Sequence, residues 1–398
     1  MIYRIASAVL AALLLAGSAG IQPASAQDVP INVILSTTGN AAFLGQMRAR
    51  TLDAMQALLN RQGGIAGKPI RFIVQDDQTS PQVTVQITSS LRAQKVPVLI
   101  GASISGTCGA ELPMIRAAGP LGYCLSPGIH PPAGSYMFSA GVSTHDLARV
   151  IFRYLLARGW TRVAAITSSD TTGQEMDEGL DEALRLAEFA DGHTGLRIVE
   201  RARFTIGDVS MAAQVERIRD ARPDAVIVWS TGTAVAGVFK AMIQSGLDVP
   251  VVTSNGNMSV DVMHRFAGFL PKTLLVPSPA FLPHEGLFTL DPRVERMQQD
   301  YFAAMRAAGL PIDLNTAGIW DPTLLVVEGL RTLGTDTTAP KLRDWLAGLK
   351  DFPGITGLYD FPRAPQRGLS EHDATMTSWD AVGDRWVPVA GPGGVPLN

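Results

Sequence analysis

Val96–Thr107, with the sequence VPVLIGASISGT, is the stretch that decides the fold of this chain. Its apolar first half, Val96–Gly101, is typical of a strand buried in a parallel sheet. The second half is rich in small and hydroxylated residues, which favour a loop. A helical pattern then runs towards Gly119, and a second predicted strand ends in Ser126-Pro127-Gly128. This order indicates a parallel strand–helix–strand unit with a polar loop after each strand.

The same unit recurs far downstream. The sequence predicts a strand at Asp224–Trp229, a hydroxyl-rich loop at Ser230–Thr233, a helix at Ala234–Ser245, a strand at Val249–Thr253 and a closing loop at Ser254-Asn255-Gly256. Ligands of parallel sheets bind outside the carboxyl ends of the strands. Two copies of one such unit therefore predict two lobes that face a common ligand.

Strand and helix patterns alternate along the whole chain, which predicts the α/β class. The 398 residues are enough for two domains. With 46% hydrophobic and 17% charged residues, the chain can bury a large core and is not predicted to be disordered. The net charge of −3 argues against a nucleic-acid partner, which requires a basic face.

Residues 1–26 have the pattern of a cleavable secretory signal. Arg4 supplies the positive start, Ile5–Ala16 the apolar segment, and Ala24-Ser25-Ala26 the cleavage site. A membrane anchor is the alternative, but the apolar run is short for a span. The sequence therefore predicts a protein that is free in an exported compartment and not embedded in the membrane; the periplasm is the compartment implied by the resemblance described below.

The chain has two cysteines, Cys108 and Cys124. In an oxidising compartment such a pair is most simply a disulfide, and two buried free thiols are the alternative. No histidine or further cysteine lies at metal-ligand spacing from them, so the sequence predicts no metal site.

Sequence signals of an enzyme are missing. The chain has no G-x-S-x-G elbow, no H-E-x-x-H, no Walker loop and no G-x-G-x-x-G after the first strand. The sequence predicts a protein that is not an enzyme and carries no cofactor. A Ser/His/Asp triad with dispersed members stays an alternative.

Neutral hydrogen-bond donors follow most of the predicted strands. Each alone can be an ordinary helix N-cap, but together they lie where helix N-termini and hydroxyls can hold an anion. Such a site binds a carboxylate without a counter-charge and can release it again. The donors are Thr37, Thr38, Ser103, Ser105, Thr107, Ser168–Thr172, Ser230, Thr231, Thr233, Ser254 and Asn255.

Several motifs, taken in order, resemble the periplasmic solute-binding proteins of the branched-chain amino acid transporter type. The resemblance covers essentially all of the mature chain. It is carried by Ile31 and Val33, Thr38-Gly39, Phe43-Leu44-Gly45, Arg61–Lys68, Val74–Pro81, Ile100-Gly101, Ser126-Pro127-Gly128, Gly173 and Gly246-Leu247.

The resemblance implies two doubly wound parallel-sheet lobes joined by a hinge of three crossings. Matching segments put these crossings near Ala140–Val142, Pro277–Pro279 and Ile355–Tyr359. Lobe one is then 28–141 and 278–357, and lobe two is 142–277 and 358–398, with a hairpin in the tail. The implied function is to close around a small molecule and deliver it to the permease subunits of an ABC importer. The protein is expected to be a monomer.

The resemblance also implies the binding residues. Ser105 matches a serine that holds the ligand carboxylate, and other positions match residues that contact or cover the ligand. Trp229 and Phe43 either stack on a ring of the ligand or belong to the core. The predicted ligand-binding residues are Phe43, Leu44, Ser105, Thr107, Ile129, His130, Thr172, Thr231 and Asn255.

Asn255 departs from the family pattern, because amino acid binders carry an acidic residue there to meet the ligand ammonium. An amide cannot supply that charge, and an uncompensated buried ammonium is costly. The sequence therefore predicts a carboxylate ligand without an amine, such as an aromatic or keto acid. His130 either adds a donor for this acid or is a partly exposed residue before Pro131-Pro132. The alternatives are an amino acid binder that uses Asp170 or Asp321, a ligand sensor of the same fold, and an exported hydrolase.

Overall fold

Two separate parallel sheets carry the fold. The computed structural model of the chain describes residues 28–397, so the predicted signal peptide lies outside the described residues. The first sheet has five parallel strands in the order β2–β1–β3–β4–β5. They are β1 (Val29–Leu35), β2 (Ile70–Asp76), β3 (Val98–Ile100), β4 (Leu121–Cys124) and β5 (Met137–Ser139), connected by α1 (Ala42–Arg61), α2 (Pro81–Ala93) and α3 (Ser105–Ile115).

The second sheet has seven strands. Its parallel strands are β6 (Arg162–Ser168), β7 (Arg197–Phe204), β8 (Ala225–Trp229), β9 (Val251–Thr253) and β10 (Leu274–Pro279), which lie in the order β10–β9–β8–β6–β7. The helices of this half are α4 (Thr144–Ala157), α5 (Thr171–Leu184), α6 (Asp191–Thr194), α7 (Ala212–Asp220), α8 (Val235–Ser245) and α9 (Val260–Phe266).

The chain then returns to the first lobe and ends in the second. The returning helices are α10 (Pro292–Ala308), α11 (Leu314–Leu333) and α12 (Ala339–Ala347), and α10 and α11 pack on α1. A small two-stranded sheet follows, made of β11 (Phe352–Pro353) and β12 (Leu358–Tyr359). The tail hairpin, β13 (Ala374–Asp380) and β14 (Arg385–Pro388), then adds antiparallel strands to the second sheet. The predicted α/β fold with two doubly wound lobes is confirmed, as is the predicted tail hairpin.

The deciding stretch folds as a strand and a helix with a shorter loop than its composition predicts. The loop spans only residues 101–104, and Ser105 and Thr107 belong to the first turn of α3. Gly101 has a φ of +126°, and a Cβ there would lie 2.2 Å from the Ile34 carbonyl oxygen. The helix starts early because Thr107 Oγ1 accepts from the Ile104 amide at 3.4 Å and donates to its carbonyl at 3.1 Å.

The predicted disulfide is confirmed. Cys108, on α3, is bonded to Cys124, at the end of β4, with the two Cα atoms 5.8 Å apart. Both cysteines are fully buried in a small apolar cluster that includes Ile34, Leu99 and Ile129. The bond therefore fixes the helix of the deciding stretch to the neighbouring strand of its own sheet.

Hydrogen bonds of Gln366 and Arg367 indicate where the chain crosses between the lobes for the third time. The Ser139 amide donates to the Gln366 carbonyl at 2.8 Å. Arg367 donates to the carbonyls of Gly141 at 3.0 Å and Ile129 at 2.6 Å. The predicted lobe boundary at residue 357 stays a prediction, and these contacts favour a later one, before β13.

Among the helices of residues 28–397, none combines the length and the apolar character needed to cross a bilayer.

Candidate ligand-binding site

The order of strands in each sheet reverses at one point, and the two reversal points face the same cavity. In the first sheet the reversal lies between β1 and β3, and in the second between β6 and β8. Loops after such strands diverge and leave a crevice for a ligand. The cavity between the lobes is lined by Ser103 and Ser105 after β3, by Thr172 after β6, and by Thr231 after β8.

Ser105 forms the polar floor of the cavity on the first lobe. It is the first residue of α3, and its hydroxyl lies 2.8 Å from that of Ser126, which follows β4. Gly128 leaves room for this pair, because a Cβ at that position would lie 2.4 Å from Ser105 Oγ. The N-terminal end of an α-helix and two hydroxyls thus meet at one wall of the cavity, an arrangement that attracts anions.

Arg48 is a buried cation that the sequence prediction missed. Its side chain lines the cavity, and the residue is only 4% exposed. The guanidinium donates to the Ser103 carbonyl at 3.0 Å and the Leu125 carbonyl at 3.1 Å. It makes no ion pair with residues 28–397, and within them its buried Nε has no hydrogen-bond partner. Burial lowers the pKa of Arg48 to about 9, so the side chain is charged at neutral pH.

A signal for Arg48 was present in the sequence. The helix α1 buries Leu44, Met47, Leu52 and Met55, and Arg48 lies on the same face, one turn from Leu44 and from Leu52. Arginine is almost never fully buried unless it is paired. An arginine on the apolar face of a predicted helix therefore indicates a partner supplied by the fold or by a ligand.

The second lobe offers a different set of polar groups. Thr231 and Ser254 share a hydrogen bond at 3.0 Å between their hydroxyls, and Asn255 follows at the cavity with 7% exposure. The neighbouring Asn257 is committed to the fold, since its amide donates to the Ser230 carbonyl at 2.7 Å and accepts from the Gly232 amide at 3.0 Å. The Asn255 carboxamide, by contrast, makes no hydrogen bond to residues 28–397.

Asp321 is a carboxylate at the cavity wall, but its oxygens are already satisfied. It accepts from the backbone amides of Ile355 at 2.8 Å and Thr356 at 3.0 Å. It also accepts from the hydroxyls of Thr356 at 2.6 Å and Tyr359 at 3.1 Å. Burial raises the pKa of Asp321. The other alternative acid, Asp170, caps α5 through the Gly173 amide and does not line the cavity.

The lobes touch across the cavity. Asn40 of the first lobe donates to the Thr231 carbonyl at 3.3 Å and accepts from the Thr233 hydroxyl at 3.2 Å. The approach is close, because a Cβ on Gly232 would lie 2.4 Å from Asn40 Nδ2. The structure therefore has the two lobes closed on each other at this edge of the cavity.

Five of the nine predicted binding residues line the cavity: Leu44, Ser105, Thr172, Thr231 and Asn255. Trp229, for which a ring contact or a core position was left open, is 2% exposed and also lines it. Phe43, Thr107, Ile129 and His130 do not.

The four remaining residues have other contacts. Phe43 packs against the large hydrophobic core, and the Thr107 hydroxyl is used within its own helix. Ile129 belongs to the cluster around the disulfide. His130 turns away to Glu175, with His130 Nε2 2.8 Å from Glu175 Oε2. Sequence proximity to a loop did not show on which side of the backbone each of these side chains lies.

A model of the periplasmic binding protein family matches residues 28–384 of the chain. The chain belongs to the periplasmic binding protein family. The predicted resemblance to periplasmic solute-binding proteins is confirmed at the level of this family, and solved branched-chain amino acid binding proteins share its fold.

Solved structures of other periplasmic binding proteins have the same fold. An extracellular ligand-binding receptor from Rhodopseudomonas palustris HaA2 has a TM-score of 0.79 at 19% identity, over 91% of this chain and 99% of that one. The branched-chain amino acid transporter substrate-binding protein LivJ from Streptococcus pneumoniae, in complex with isoleucine, has a TM-score of 0.73 at 18% identity, over 91% and 99%. An ABC transporter solute-binding protein from R. palustris, in complex with benzoate, has a TM-score of 0.74 at 19% identity, over 94% and 98%.

Replacing Ser105 by alanine is expected to weaken carboxylate binding by this periplasmic binding protein about ten- to a hundredfold. The change removes one donor, and hydrogen bonds to charged groups contribute roughly 1.5–3 kcal/mol. Isothermal titration calorimetry with phenylpyruvate measures the effect. Ser90→Ala, on the exposed face of α2, is the control. Equal affinities of the Ser105→Ala and wild-type proteins would remove Ser105 from the site.

Proposed function

We propose that this periplasmic binding protein delivers a small organic acid without an amine, such as an aromatic or keto acid, to an ABC importer. The observation that carries the proposal is Arg48. A buried guanidinium with a free donor and no carboxylate partner among the described residues lines the cavity between the lobes. A buried charge is costly unless it is paired, and a ligand carboxylate can provide the pair.

The groups around Arg48 favour binding of a ligand carboxylate at the first-lobe wall of the cavity. Ser105 and Ser126 provide hydroxyls, and the start of α3 provides the positive end of a helix. Arginine binds carboxylates through parallel hydrogen bonds, which also orient the ligand. We therefore assign the carboxylate to the first lobe, beside Ser105 and Arg48.

The opposite wall lacks a group suited to an ammonium. Asn255 lies there without a charge, and the carboxylate of Asp321, on α11 of the first lobe, already accepts from four donors. The free Asn255 carboxamide suits a keto or hydroxyl oxygen of the ligand. Both an amino acid and benzoate occur as ligands on this fold, so the fold itself permits either class.

The apolar part of the cavity suits a ring. Trp229 and Leu44 line it from opposite lobes, together with Leu314 at the start of α11. Aromatic surfaces contribute both buried area and stacking geometry to binding. An aromatic acid therefore satisfies the apolar walls and the buried cation together.

Matched ligand pairs test the proposal. We expect phenylpyruvate to bind more tightly than phenylalanine, and ketoisocaproate more tightly than leucine, because the amino acids bury an ammonium with no charged partner, at a cost of several kcal/mol. Asn255→Asp should narrow or reverse this order by restoring the charge. Calorimetry of each pair on both proteins is the measurement, and a thermal-shift screen of further acids then narrows the ligand.

Asn255→Ala is the matched control, since it removes the amide without adding a charge and should keep the preference for the keto acids. Tighter binding of the amino acids by the unmodified protein would instead support the amino acid binder, with an ammonium partner other than Asn255.

A further inference from the structure

His130, His145 and Glu175 bring three metal-binding side chains together at the edge of the cleft. His130 Nε2 lies 2.8 Å from Glu175 Oε2, and His145 Nε2 lies 3.8 Å from the same oxygen. Ligand atoms bound about 2.0–2.2 Å from a tetrahedral zinc lie roughly 3.3 Å apart. The observed separations therefore suit three ligands of a single cation.

Two of the three ligand atoms are buried without a partner. Within residues 28–397, neither His145 Nε2 nor Glu175 Oε2 has a hydrogen-bond partner. The short contact between His130 and Glu175 lacks the alignment of a hydrogen bond. Buried polar atoms are nearly always satisfied in folded proteins, and one cation at this point would satisfy both atoms.

The second ring nitrogen of His145 contacts a carboxylate, as is usual for histidines that bind metal ions. His145 Nδ1 lies 2.7 Å from Glu182 Oε2, so a proton on Nδ1 leaves the lone pair of Nε2 free for a metal. Glu182 is in turn held by Arg149 Nη1 at 3.2 Å. The positive charge of Arg149 is balanced by Asp146 and Glu371 as well, which limits its repulsion of a cation.

We propose that His130, His145 and Glu175 form a zinc site that ties the two lobes together. His130 lies between β4 and β5 of the first sheet, whereas His145 on α4 and Glu175 on α5 belong to the second lobe. Neither lobe alone supplies the site. Zinc therefore binds the closed arrangement and stabilises it by mass action, at a position separate from the cavity for the organic acid.

The donor set favours zinc over the harder cations. Two imidazoles and one carboxylate bind zinc in proteins and leave a fourth position for water. His130 is partly exposed, so water can reach that position. Calcium and magnesium prefer oxygen ligands and a higher coordination number, and they should compete poorly here.

Calorimetric titration of the tag-free, metal-free mature protein with zinc chloride tests the site. We expect one zinc ion per chain, and a loss of affinity of at least about 100-fold in both His130→Gln and Glu175→Gln. Glu182→Gln removes the carboxylate behind His145 and should cost roughly 10–100-fold. Millimolar magnesium should leave the wild-type titration unchanged.

His264→Gln is the matched control, because His264 also contacts a carboxylate, Asp384, but on an exposed surface away from the cleft. It should bind zinc as the wild type does. The proposal is overturned if the wild type binds no zinc, or if His130→Gln binds as tightly as the wild type. In the second case the zinc would be held by one lobe alone.

Discussion

The Arg48→Met protein is expected to bind phenylpyruvate at least about 100-fold more weakly than the wild type. The substitution removes the only cation assigned to the ligand carboxylate, and charge-assisted hydrogen bonds to a buried group contribute roughly 1.5–3 kcal/mol each. Methionine keeps the apolar stem and fills most of the space. Calorimetry at neutral pH measures the affinity, and circular dichroism checks the fold.

Two further variants test whether the loss of affinity is specific to the guanidinium of Arg48. Arg50→Met removes a cation from an exposed position on the same helix, and it should leave the affinity unchanged. Arg48→Lys keeps the charge but loses the planar pair of donors, so an intermediate affinity is expected. Should Arg48→Met bind as well as Arg50→Met, the guanidinium would be a structural group and the carboxylate would lie elsewhere.

The second large effect concerns stability. The double variant Cys108→Ala/Cys124→Ala is expected to lose about 3 kcal/mol of unfolding free energy, because the bond closes a short loop in the unfolded chain. The cysteines are 16 residues apart, and both are fully buried. Removing the sulfur atoms also leaves small gaps beside Ile34 and Ile129. Urea unfolding followed by tryptophan fluorescence measures the change.

Reduction of the wild type provides the control for the disulfide. A reductant should lower the urea midpoint of the wild type towards that of the double variant, and it should leave the variant itself unaffected. Identical midpoints for the oxidised wild type and the variant would mean that the bond does not stabilise the fold.

Much of the fold could be predicted because it follows from local patterns. Buried parallel strands appear as short apolar runs, and the residues that end them are small or polar. The predicted strands at Asp224–Trp229 and Val249–Thr253 are confirmed within two residues. The boundary at Ser105 was missed, because a serine favours both a loop and the first turn of a helix.

The candidate site could be predicted only in part. Ser105, Thr231 and Asn255 lie at strand ends, and the topology of a parallel sheet brings such positions to one cavity. Arg48 lies in the middle of a helix, and its pattern alone does not say that the buried face meets a ligand cavity. The direction of the His130 side chain depends on the other lobe, which the local sequence does not describe.

The sequence by itself determined the α/β class, the alternation of strands and helices, and the polar strand ends, since these depend on residues close together in the chain. Only the tertiary structure decided which side chains share a cavity. It placed Arg48 beside Ser103, filled the acceptor sites of Asp321 with donors from residues 355–359, and brought His130 to His145 and Glu175. These contacts join segments that are distant in the chain, and their geometry is set by the packing of the two lobes.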